Sequence, residues 1–109
     1  MDFQAQIRSA LSEGKLDDVS FDSIFLGARE MTGVSTDIPD IERAIMVVEE
    51  LLRRGFTPLN NGPDEIWGAP WEEKTEAEII ARIRREFDQL TEEPSFLDIC
   101  WFRAPRDAA

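Results

Sequence analysis

Ile41, Ala44, Ile45, Val48, Leu51 and Leu52 recur at steps of three, one, three, three and one, the spacing of one face of an α-helix. A strand alternates its side chains with period two and would scatter this set over both faces. Asp37 and Pro39 stand near the start, Arg53 and Arg54 complement the negative end of the helix dipole, and Gly55 follows as a stop. The pattern predicts a core helix, and helices of this length gain most of their stability from apolar partners.

The rest of the chain supplies those partners. Phe3, Ile7, Ala10 and Leu11 share one face of a first helix that Gly14 would stop, with residues 15–19 as a connector. Ser20 as N-cap predicts a second helix lined by Phe21, Ile24, Phe25, Ala28 and Met31 and ended by Gly33. Thr75 and Glu78 have capping-box spacing and open a fourth helix carrying Ile79, Ile80, Ile83, Phe87 and Leu90, with Pro94 closing the region. Pro58, Asn60, Asn61, Gly62, Pro63, Gly68 and Pro70 break up the stretch before it into turns, with short extended pieces at 56–59 and 65–67. The apolar run 96–102 reads as a short buried strand or as an extended segment tucked against the helices. The expected fold is mainly α: about four amphipathic helices in a compact bundle, with short β-strands near residues 56–67 and 96–103. At 109 residues, the chain is expected to form a single domain, 1–109.

Composition removes several chemistries. There is no histidine, which excludes a Ser-His-Asp triad, a Cys-His pair and any imidazole metal site. The single cysteine, Cys100, can form neither an internal disulfide nor a multi-thiolate zinc site, and its neighbours Ile99, Trp101 and Phe102 mark it as an inert core thiol. Twenty-three acids against 12 bases give a net charge of −11, which argues against direct binding to nucleic acid or to an anionic membrane. The aliphatic run at 45–48 is too short to span a bilayer. The start, Met-Asp-Phe-Gln, lacks the basic leader and apolar stretch of a signal peptide, so a reducing cytoplasm is the expected compartment. Adjacent acids at Asp17–Asp18, Asp64–Glu65, Glu72–Glu73 and Glu92–Glu93 could act as acid and base or hold Mg²⁺ or Ca²⁺. In so acidic a chain such pairs are unspecific, and none sits in an EF-hand or catalytic motif. The expectation is a protein that is not an enzyme and uses no metal and no cofactor.

The distribution of charge carries more information than its total. Residues 1–40 hold a net −5 and residues 61–80 another −5, whereas 41–60 are neutral and 81–109 hold −1. In the second acidic block Asp64, Glu65, Trp67, Trp71, Glu72, Glu73 and Glu76 combine aromatic anchors with carboxylates, the composition of a docking surface for a basic partner. Each has a plainer reading as well: Glu76 and Glu78 suit a helix N-terminus, and Trp67 and Trp71 could lid the core. Asp17, Asp18 and Asp22 form a secondary candidate group.

Residues 11–21 (LSEGKLDDVSF), a helix end, polar turn and new helix start, and 76–90 (EAEIIARIRREFDQL), an acidic late helix, resemble in organisation the immunity proteins of bacterial nuclease toxins, of colicin or contact-dependent growth inhibition type. The resemblance implies a monomeric inhibitor in a one-to-one complex with a cognate basic toxin domain, its acids occupying the surface that would otherwise meet substrate phosphates. The alternatives are an acidic nucleic-acid mimic or regulatory adaptor for another basic protein and, less favoured, a carboxylate-based metal-dependent enzyme. An exposed edge formed by the C-terminal apolar segment, which a partner could extend by main-chain pairing, is a rival to the acidic interface.

Overall fold

The computed structural model describes residues 1–60 and 68–105. In chain order these form α1 (Phe3–Leu16), β1 (Val19–Ser20), α2 (Phe21–Arg29), α3 (Asp40–Arg53), β2 (Thr57–Leu59), α4 (Glu76–Asp88) and β3 (Trp101–Arg103). The fold is therefore mainly α with a small sheet. The predicted core helix is α3: Ala44, Ile45, Val47, Val48 and Leu51 are all buried, and α2 makes the most extensive contact with it. At the end of α3, Gly55 takes φ 92°, which a side chain would disfavour. Its N–H bonds to Leu52 O and that of Phe56 to Leu51 O, a Schellman stop that turns Phe56 back into the core.

α1 runs two residues past Gly14, with Asp17 as its C-cap. That corrects the expected stop, and the reason is packing. A Cβ at Gly14 would lie 3.1 Å from the Phe56 ring and 3.3 Å from Ala104 Cβ, so the glycine serves a close approach instead of a turn. α2 ends at Arg29, short of the expected Met31 and Gly33. Its last carbonyl and three from the following loop are taken by a side chain from α3: Arg43, 6% exposed, donates to Arg29 O, Met31 O, Ser35 O and Ile38 O. Ser20 occupies the N-cap position of α2, but its side chain makes no capping bond. The capping box of α4 is present, with Glu78 N–H donating to Thr75 Oγ1 and Thr75 N–H to Glu78 Oε1. α4 packs on α2 through Phe25 and Phe87, whose ring centroids are 5.6 Å apart.

The sheet is antiparallel with order β1-β3-β2. β1 falls in what reads as a connector, and two residues are too few to leave a period-two signature. The strand near 96–103 is present but shorter than the apolar run. Ser95 and Asp98 close a side-chain-bonded turn, and Ile99 adopts φ 64°, outside the extended region. Phe96 and Leu97 are consequently exposed. β3 is the central strand, which overturns the exposed-edge alternative for this segment. On the far side of β2, Leu59 bridges to Pro70, Asn60 N–H donates to Ala69 O and Gly68 N–H to Asn60 O, so the returning chain covers that edge. The second predicted extended piece, 65–67, lies outside the described residues. No described helix is long and apolar enough to cross a membrane.

Candidate functional site

Three of the seven residues singled out for a docking surface, Asp64, Glu65 and Trp67, lie outside the described residues. Trp71 is 1% exposed and belongs to the core, which corrects its reading as a contact residue in favour of packing. The Arg82 guanidinium lies 3.8 Å from the indole centroid and is held there by Glu73, 3.0 Å from Arg82 Nη1, and by Glu86. Such a stacked cation adds to the apolar burial of the ring. Lys74 Nζ donates to Trp71 O at 2.7 Å, fixing the turn into α4. Glu73 is thus committed to Arg82, and its own backbone N–H together with Arg82 holds its carboxyl below the usual carboxylate range. Glu76 pairs with Arg53 at 3.1 Å, tying the start of α4 to the end of α3. Glu72 alone of the four described members is exposed and without a cation among the described residues.

The secondary group fares differently. Asp18 is held by Arg103, with Nε and Nη2 each 3.3 Å from a carboxylate oxygen, so it belongs to the sheet. Asp17 and Asp22 have no cation partner among the described residues. The structure brings them together with Glu13, a residue the sequence reading did not single out. Glu13 has its carboxyl pushed up by partial burial and by the negative charges of Asp22 and Asp17. One oxygen of Asp22 is fully covered and makes no hydrogen bond. Glu13 lies in the last turn of α1 and Asp17 is its C-cap, its N–H donating to Glu13 O at 3.0 Å, while α2 starts directly after β1 with Asp22 in its first turn.

The placement opposes stability. Glu13 and Asp17 stand at the C-terminal end of α1, where the partial negative charge of unpaired carbonyls disfavours acids. Only Asp22, in the first turn of α2, enjoys the opposite dipole end. Among the described residues no group of three or more acids or cysteines is arranged to hold a metal ion. Asp22 and Asp17 are each close enough to Glu13 to raise its carboxyl by repulsion. Elsewhere Arg29, Arg53, Arg54, Arg82, Arg84 and Arg103 neutralise acids by direct pairing. The α1–α2 corner is left negative by contrast. No family model, curated protein or solved structure matches this chain.

Proposed function

We propose that this chain is a non-catalytic inhibitor of the immunity-protein kind, which binds a basic, nuclease-type toxin domain in the cytoplasm through the Glu13–Asp17–Asp22 corner. A nuclease must present Lys and Arg to engage phosphates, and an inhibitor is favoured when it offers carboxylates at comparable spacing. The observation that carries the reading is the convergence of three carboxylates without a cation partner among the described residues at a helix end that disfavours two of them. Acids held against local stability are those for which a partner's cations supply the missing compensation. Glu72 is a flanking contact on this reading, whereas Glu73 and Glu76 serve the fold.

The test is co-expression with a basic nuclease domain encoded beside this chain's gene. A one-to-one complex that blocks nuclease activity, and whose association slows as salt is raised, is expected. An unimpaired nuclease in the presence of excess chain, or a gene embedded among metabolic enzymes with no such neighbour, contradicts the proposal.

A further inference from the structure

Beside α1, with neither Glu13, Asp17 nor Asp22 in its lining, lies a groove of about 770 Å³, within the size range of small-molecule sites. Its apolar floor is made by Leu11 of α1, Phe56 after α3, and Ala104 and Pro105 after β3. Gly14 lets the Phe56 ring lie against the helix, with no side chain between them. Lys15, Arg54 and Arg103 stand around that floor, and no acid among the described residues lines it. In a chain of charge −11, three cations around one apolar depression are a marked local reversal of sign.

Their donors are only partly used. Arg54 gives Nε to Glu50 at 3.2 Å, and neither its terminal nitrogens nor Lys15 has an anionic partner among the described residues. Arg103 is steadied by Asp18. Guanidinium groups held in this way by one carboxylate are oriented in advance for a second oxyanion.

We infer that this groove binds a small amphipathic anion, a carboxylate with an aliphatic or aromatic body, its apolar part on Leu11, Phe56 and Pro105 and its oxyanion among Lys15, Arg54 and Arg103. The site is separate from the acidic corner and does not rest on the function proposed above. Titration of the full chain with octanoate, followed by two-dimensional amide NMR, tests it against octan-1-ol and octylammonium as neutral and cationic controls. Saturable shifts at Gly14, Lys15, Phe56 and Ala104 are expected with octanoate, with at least tenfold weaker binding of both controls. Lys15→Glu combined with Arg54→Glu, at exposed positions that leave the melting temperature within a few degrees, should weaken octanoate at least tenfold. Equal affinity for all three probes, shifts centred elsewhere, or undiminished binding by a folded double variant overturns the proposal. Binding of an acidic peptide at the groove without any response to octanoate overturns it too, since the occupant would then be a protein.

Discussion

Arg43 shows how much a single side chain can organise. It is buried on α3 in line with Val47 and Leu51, and it faces carbonyl oxygens from α2 and from the loop that joins the two helices, with no carboxylate among its partners. The guanidinium fork reaches four carbonyl acceptors, of which Ser35 O also accepts from Ile38 N–H, and the partial negative end of α2 favours its charge. Replacing it removes the donors and leaves the carbonyls. Arg43→Met is therefore expected to destabilise the chain by about 3 kcal/mol, read as a lower urea midpoint. Arg43→Lys should recover only part of this, because one ammonium cannot span the same set. Nothing in the sequence marks the residue, since an arginine four residues before a valine pair reads as surface charge. Cys100 was legible by contrast: apolar neighbours on both sides predict burial, and burial pushes its thiol well above the usual value, with Glu86 adding to the effect. The thiol is expected to resist a disulfide reagent such as Ellman's in the native state and to react fully only in denaturant.

At the scale of elements, helices were legible wherever their signal is local. The capping box of α4 involves residues three apart, and its geometry follows from the pair itself. Thr75→Ala should cost about 1 kcal/mol in chemical denaturation while leaving the native circular dichroism spectrum unchanged. Helix ends were less legible, because distant atoms set them. Gly14 stays helical because Phe56 and Ala104 need the space of its missing side chain, and α2 stops early where Arg43 collects the carbonyls of Arg29 and Met31. The run 96–102 is nearly continuous apolar sequence, yet the Ser95–Asp98 turn and the positive φ of Ile99 divide it. Hydropathy alone carries no record of such a turn. The centrality of β3 was equally invisible, since it depends on pairing with strands of two and three residues far away in the chain.

For the whole molecule, net charge by segment and net charge in space tell different stories. The block at 61–80 looks as acidic as the first forty residues, but Arg53 and Arg82 come from outside it to pair with Glu76 and Glu73. The Glu13, Asp17 and Asp22 group receives no such cations among the described residues. Segment sums single out Asp17 and Asp22 and pass over Glu13, which its place four residues before Asp17 at the end of α1 would have brought in. The raised carboxyl of Glu13 also fixes a sign. Between its ordinary and its raised value the folded chain holds more proton than the unfolded one, so this residue's contribution to stability falls as pH rises through that window. Glu13→Gln is thus expected to raise the melting temperature at neutral pH, with the gain shrinking as pH falls through that window and gone below the ordinary carboxylate range. Glu42, lowered by its hydrogen bonds to Arg84, acts in the opposite sense, its stabilisation being lost as pH falls through its depressed value.

The central claim is that the acidic α1–α2 corner, not the paired acids at the start of α4, receives a basic partner. Stopped-flow association with the neighbouring basic nuclease domain at low salt measures it directly, comparing the unaltered chain, Glu13→Gln/Asp17→Asn/Asp22→Asn, and Glu76→Gln. The account predicts at least a tenfold slower association for the triple variant and less than a twofold change for Glu76→Gln. Undiminished association by a folded triple variant, or a larger loss for Glu76→Gln, would contradict it.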